Sequence, residues 1–285
     1  MKYPQNIPAQ EQPEQPGHEG NMHPEPVVIR DNYCGSGRLI GKKAVITGGD
    51  SGIGRSIAVH FAREGADVAI VYRDEHEDAR LTKQMVENEG RNCFVISGDI
   101  KSEAFCTETV KAIAAKMGGL NIIVNNAAVQ YPTENPIEVT GTQLQETFAT
   151  NIFSFFYITN AALPYLNEGD CIINTASVTA YRGSPHLLDY SSTKGAIVSY
   201  TRSLSGMLAS KKIRVNAVAP GPIWTPLIPA TFTAEEVSEF GKQTPMERPG
   251  QPAEVGPAYV FLACEDASYI TGQVIHVNGG EVIGG

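Results

Sequence analysis

Thr47-Gly48-Gly49-Asp50-Ser51-Gly52-Ile53-Gly54 is the stretch that decides the fold. It follows the apolar run Ala44–Thr47 and leads directly into a helical pattern, Ile57-Ala58-Phe61-Ala62. A strand that ends on glycines and turns straight into a helix offers the free N–H groups of the helix start to an anion. Gly48 permits the tight turn, Gly52 lets the backbone approach a pyrophosphate, and Gly54 lets helix pack closely on strand. Glycine-rich turns occur in many folds, so the position after the first core strand gives this one its meaning. It predicts a dinucleotide cradle in which Gly48, Asp50, Ser51, Gly52, Ile53 and Gly54 meet the cofactor.

Beyond the turn the same alternation continues. Short apolar runs stand at Ala44–Thr47, Val68–Tyr72, Cys93–Ile96, Ile122–Asn125, Cys171–Asn174, Val215–Val218 and Val274–Val277. Continuous apolar runs of that length suit strands buried on both faces, and amphipathic stretches lie between them. One such helix, through Val110, Ile113, Ala114 and Met117, stops at Gly118-Gly119. The reading is a single α/β domain: a Rossmann-type, doubly wound, parallel seven-stranded sheet with helices on both faces. The last strand is expected at the sheet edge.

Composition agrees with one enzyme-sized domain and a tail. The chain has 285 residues, 42% hydrophobic and 19% charged, with a formal charge of −9. That acidity, without a Lys/Arg block, argues against nucleic acid or an anionic membrane surface as partner. No apolar run reaches membrane-helix length and no signal peptide opens the chain. Five widely spaced cysteines without a C-x-x-C pair argue for a reducing, cytoplasmic setting and against a disulfide framework or a metal site. Residues 1–39 differ from the rest, holding six of the 18 prolines and few branched aliphatics. Such a leader is expected to be extended, and solvated rather than wrapped on a neighbouring subunit. Residues 40–285 are expected to form the one folded domain.

Cofactor choice should be set where the second strand ends, at Tyr72-Arg73. An acid there would bind the adenosine ribose 2′-hydroxyl, whereas an arginine accommodates a 2′-phosphate. Arg73 leans the choice between NADP and NAD toward NADP, while Asp74 and Glu75 pull against it.

Catalytic chemistry points to Tyr190-Ser191-Ser192-Thr193-Lys194. Residues i and i+4 share a helix face, so a phenol and an ammonium project together. The ammonium would lower the phenol pKa and make it a usable acid/base. Ser177, ending the run Cys171–Ser177, would stand at the carboxyl edge of a strand, where its hydroxyl can donate to a substrate oxygen. No G-x-S-x-G surrounds Ser177, so it is not read as a hydrolase nucleophile.

Together these motifs resemble the short-chain dehydrogenase/reductase family over essentially all of residues 40–285. The glycine turn matches T-G-x-x-x-G-I-G, and Tyr190 and Lys194 match Y-x-x-x-K, with Ser177 at the usual interval. Asp99-Ile100 resembles the adenine-holding segment, and Asn126-Ala127-Ala128 the N-N-A-G motif, from which Ala128 departs. The leader further resembles a bacterial subgroup of general-stress and glucose-dehydrogenase-like oxidoreductases. The resemblance implies hydride transfer between a nicotinamide and an alcohol/carbonyl substrate held by Ser177 and Tyr190. It implies that Tyr190 is the acid/base, that Lys194 binds the nicotinamide ribose, and that Asn151 holds a water linking Lys194 to solvent. Cofactor contacts would come from Tyr72, Arg73, Asp99, Ile100, Asn126, Ala127, Ala128, Thr175, Tyr190, Lys194, Pro220, Gly221, Ile223 and Thr225. A homotetramer is the implied assembly.

Residues 221–250, with Trp224, Leu227, Ile228, Pro229 and Phe232, are expected to form a lid that keeps water from the substrate. Tyr131, Tyr181, His186 and Leu187 are expected near the pocket, and Arg182 and Arg248 at the surface. Two other functions remain open: a cofactor-binding sensor or scaffold without turnover, and sugar epimerisation. The retained Ser177, Tyr190 and Lys194 count against the first, and the lack of an added substrate domain against the second.

Overall fold

Seven runs of β-branched residues become seven strands in the computed structural model, which describes residues 3–283. In chain order they are β1 (Lys43–Thr47), β2 (Asp67–Tyr72), β3 (Cys93–Ser97), β4 (Ile122–Asn125), β5 (Cys171–Thr175), β6 (Arg214–Pro220) and β7 (Val274–Val277). All pair in parallel, in the order β3-β2-β1-β4-β5-β6-β7, with β7 at the edge as expected. The chain winds outward one way from β1 and the other way from β4. Ligands bind above the carboxyl ends of the strands at such a reversal.

The alternating faces of each strand explain why the runs are apolar throughout. Ala44, Ile46, Val68 and Ile70 face one helical layer, formed by α1 (Gly52–Arg63), α2 (His76–Asn88) and α9 (Pro252–Ala263). Val45, Ala69 and Val71 face the other, formed by α3 (Glu103–Met117), α5 (Ser154–Ala162) and α7 (Leu188–Leu208). Shorter helices α4 (Gly141–Phe148), α6 (Thr179–Arg182) and α8 (Ala234–Glu239) complete the set. Between α4 and α5 the helix widens into a π turn over Ala149–Phe153.

The leader departs from expectation. It is extended, but it lies along its own subunit instead of in solvent. Ile7 and Met22 are buried against Trp224, Ile228 and Val237. Farther along, the Val28 carbonyl accepts from Ser56 Oγ at 2.7 Å, and Val27 N donates to Gln251 Oε1 at 2.9 Å. Its burial comes from borrowing the core's apolar surface rather than building any of its own. Among the described residues no helix is long and apolar enough to cross a membrane.

One consequence concerns acid stability. His60 in α1 is fully buried, donates from Nδ1 to the Ser56 carbonyl at 2.7 Å, and leaves Nε2 without a partner. Burial pushes its pKa down to about 4. The unfolded chain therefore takes up a proton below pH ~6.5 that the folded chain refuses, and stability is lost as pH falls from there toward 4. The loss reaches about 3 kcal/mol at the lower limit. Glu19 and Asp50, raised by burial to about 7 and about 6, act in the opposite sense. Denaturant unfolding of wild type and His60→Gln across pH 4–7 should give curves that converge as the pH falls; parallel curves would contradict this assignment.

Candidate active site

At the first strand end the backbone takes up conformations that side chains resist. Gly48 and Gly52 have φ of +61° and +53°, the left-handed region that glycine enters freely. A Cβ on Gly54 would lie 1.8 Å from the Gly48 carbonyl oxygen, so the helix can seat on the strand only with glycine there. The first helical bond of α1 runs from Arg55 N to Ser51 O, leaving the N–H groups before it outside the helical ladder.

Asn126 ties this turn to its neighbours. Its Nδ2 donates to the Thr47 and Gly48 carbonyls at 3.2 and 3.1 Å, and its Oδ1 accepts from Thr175 Oγ1 at 3.1 Å. Three strand ends are thereby held in register around a cleft of about 360 Å³. That lies within the range of small-molecule sites. Every sequence-predicted site residue lines the cleft except Gly54, which packs beneath it, and Asn151.

The catalytic candidates converge on one wall. Ser177 lies just past β5, and Tyr190 and Lys194 lie one turn apart on α7. Thr179 donates from N and Oγ1 to Ser177 Oγ, at 3.2 and 3.1 Å. The hydroxyl proton of Ser177 is left for another acceptor, and Ser177 lowers the Tyr190 pKa. Lys194 is buried, donates to the Thr175 carbonyl at 2.8 Å, and lies 5.3 Å from the Tyr190 ring centre. Burial dominates both titrations, pushing Tyr190 up to about 12 and Lys194 down to about 7. In this arrangement burial outweighs the lowering of Tyr190 that a Lys194 ammonium would bring.

Asn151 is buried and does not line the cleft. Its Oδ1 accepts from Val129 N at 2.8 Å, and its Nδ2 donates to Val129 O and Thr193 Oγ1 at 2.9 and 3.2 Å. With both amide protons engaged and one lone pair of Oδ1 still open, the side chain locks the cleft-lining Val129 to the catalytic helix. Asp189 does similar work, accepting from Thr147 Oγ1 at 2.7 Å and from the Tyr190 N–H at 2.8 Å.

Around the substrate end, Leu227, Ile228 and Phe232 line the cleft as the lid reading expects, joined by Phe240. Trp224 does not; it is buried beneath the leader and donates to the Pro24 carbonyl at 2.8 Å. Leu187 lines the cleft, whereas Tyr131, Tyr181 and His186 are not among its lining residues. Arg182 does line it, paired with Glu281 at 3.2 Å, while Arg248 is held by Glu254 at 2.8 Å. Sequence reasoning missed Gln15, Pro16 and Gly17 of the leader, which form part of the wall, and Gln130 opposite them. Among the described residues no three His, Cys, Asp or Glu side chains converge as a metal site.

This geometry has relatives. A family model described as enoyl-(acyl carrier protein) reductase matches residues 48–281. General stress protein 39 of Bacillus subtilis is 54% identical over 99% of this chain and 98% of its own. The chain belongs to the short-chain dehydrogenase/reductase family. Within that family it is 47% identical to NADPH-dependent aldehyde reductase 1, chloroplastic, of Arabidopsis thaliana, over 96% of this chain and 98% of the relative. The crystal structure of a short-chain dehydrogenase from Burkholderia cenocepacia in complex with NADP superposes with a TM-score of 0.80 at 30% identity, covering 85% of this chain and 98% of the other. The remainder of this short-chain dehydrogenase/reductase includes the leader, which lies before the residues that the family model matches.

Proposed function

We propose that this short-chain dehydrogenase/reductase is an NAD(P)-dependent alcohol dehydrogenase/carbonyl reductase. The observation that carries the reading is the single cleft that sets Ser177, Tyr190 and Lys194 on one wall and the glycine turn on the other. The cradle fits a dinucleotide: left-handed glycines at Gly48 and Gly52 keep the turn free of side chains, and the start of α1 favours a pyrophosphate. Tyr72, Arg73, Asp99 and Ile100 would take the adenosine half, and Asn126, Ala127, Ala128, Thr175, Pro220, Gly221, Ile223 and Thr225 the nicotinamide half. When bound, the nicotinamide supplies or accepts the hydride.

The chain's own residues supply the rest. Ser177 donates its free proton to the carbonyl oxygen and orients it. Tyr190, held protonated by burial, delivers a proton to that oxygen as charge develops there, and takes it back in the alcohol direction. Lys194, anchored on the Thr175 carbonyl beside Tyr190, would hold the ribose hydroxyls of a bound cofactor with its amine. Apolar lid residues Leu227, Ile228, Phe232 and Phe240 keep water from the reacting carbon. Aldehydes stand first among the carbonyls, by likeness to the Arabidopsis reductase and by this apolar wall.

NADP is proposed over NAD. The Arg73 side chain is 47% exposed at the cleft, and its carboxylate neighbour Asp74 is 3.9 Å away, too far for a tight pair. Glu75, expected to repel a phosphate, is buried, and burial with Asp74 and Asp50 beside it pushes its pKa up toward the neutral form. Arg73→Ala should weaken NADP binding by about tenfold, the scale of one lost charged hydrogen bond, and leave NAD nearly unaffected. Fluorescence titration of both reduced nicotinamides measures this, and equal losses for the two would refute the preference. A homotetramer is proposed with the function, resting on edge strand β7 and on Phe153 and Phe156, which are large, apolar and exposed. All five cysteines are free thiols, in keeping with a cytoplasmic enzyme.

A further inference from the structure

Midway along, the leader places a buried carboxylate at the nucleotide end of the cleft. Glu19 stands in the short turn Glu19–Asn21 and is 5% exposed. Its Oε2 accepts the Gly52 N–H at 2.6 Å, and its Oε1 accepts from the guanidinium of Arg55. Arg55 is equally buried, on α1 directly after the glycine turn. Its remaining donors are used on the Asp50 carbonyl at 3.0 Å, Thr82 Oγ1 at 2.8 Å, and the carbonyl and carboxylate of Asp78, both at 3.1 Å. Asp78 closes the circuit by accepting Glu19 N at 2.9 Å. Thr82 Oγ1 donates to the Asp50 carbonyl at 2.6 Å from the same side.

Two features make this more than a tether for the leader. The network grips the turn directly, at the Asp50 carbonyl and the Gly52 N–H, and ties it to Arg55 of α1 and to Asp78 and Thr82 of α2. It also spends a carboxylate where an anion must bind, a costly choice unless a cation is paired with it. Of the N–H groups before the helical ladder begins at Arg55, Glu19 takes that of Gly52. Those of Ile53 and Gly54 come next along the helix start.

We propose that Glu19 is a positioning residue of the dinucleotide site: by holding the Gly52 N–H and the Arg55 guanidinium together it fixes the glycine turn in the shape that presents the following N–H groups to the cofactor pyrophosphate. The leader is then a working part of the cofactor site. The inference rests on the dinucleotide reading given above. It explains why residues of the leader are packed so closely at the turn, and why Arg55, which does not line the cleft, is fully buried.

The test is fluorescence titration of full-length wild type, Glu19→Gln and Glu19→Ala with NADPH and with NADH, at a temperature where melting curves show each protein folded. Glu19→Ala should raise the dissociation constants of both dinucleotides alike, by about tenfold or more. Glu19→Gln, which keeps an oxygen for Gly52 but loses the charge opposite Arg55, should fall between and serves if the alanine variant does not fold. In steady state the rise in cofactor KM should exceed any fall in kcat. A lowered melting temperature with unchanged dissociation constants would make Glu19 merely structural and overturn the inference. Tighter binding in Glu19→Ala would overturn it also, because the carboxylate would then be competing with the pyrophosphate. Wild type that binds neither dinucleotide would overturn the dinucleotide reading itself, and this inference with it.

Discussion

Replacing Tyr190 by phenylalanine is expected to lower kcat by about 10³-fold while the dissociation constant for the reduced nicotinamide stays within about twofold. The ring packs in a buried site on α7, so removing one oxygen leaves the volume filled and the fold intact. What is lost is the proton that is transferred to the carbonyl oxygen, which Ser177 orients but does not protonate. Burial holds that hydroxyl protonated up to about 12, so the acid is fully loaded for carbonyl reduction at neutral pH. The alcohol direction needs the opposite form and should gain as pH rises. Steady-state rates in both directions, with cofactor binding by fluorescence, check this; a variant that reduces carbonyls at a comparable rate would show that the acid lies elsewhere.

Gly54→Ala is expected to weaken dinucleotide binding sharply without touching a catalytic group. The added Cβ would stand 1.8 Å from the Gly48 carbonyl and 2.9 Å from Asn126 Nδ2, and the nearer atom is backbone that cannot swing away. Relief requires α1 to move off β1, which opens the turn and breaks the Asn126 tie to Thr47 and Gly48. Overpacking of this kind costs about 3 kcal/mol, enough to weaken cofactor binding by about 10²-fold. Isothermal titration with the preferred dinucleotide reads the affinity, and thermal melting reads what the fold itself loses. Unchanged affinity would mean that the turn is not the cradle.

What could be read from the sequence was what local periodicity encodes. The strands were legible because β-branched runs such as Ile122–Asn125 must be buried on both faces, and structure and sequence place that strand between the same residues. Tyr190 and Lys194 share a face by helical spacing alone. The misreadings have a different origin, contacts between segments far apart in the chain. The partner of Gly52 is Glu19, and the proline-rich composition around that glutamate reads as solvated tail. Trp224 looks like a lid residue until the leader is seen covering it. Asn151 was placed by motif, and its buried bonds to Val129 and Thr193 are contacts that a motif does not encode. The Tyr190 pKa followed from one charge at i+4, whereas burial of the whole site outweighs it. One signal was present and unused: Arg55 sits on a helix whose neighbours Ser56, Ile57 and Ala58 are buried, and an arginine there calls for a carboxylate from somewhere.

The most direct measurement follows the hydride. Wild-type protein is incubated with nicotinamide deuterated at C4, in the NADPH and the NADH form, and a panel of aldehydes, ketones and sugars. The products are then examined by mass spectrometry. The expected result is deuterium on the former carbonyl carbon of at least one substrate, with loss of that label in Tyr190→Phe. Tight dinucleotide binding with no deuterium entering any product would contradict it, and would return the protein to a binding module on an oxidoreductase fold.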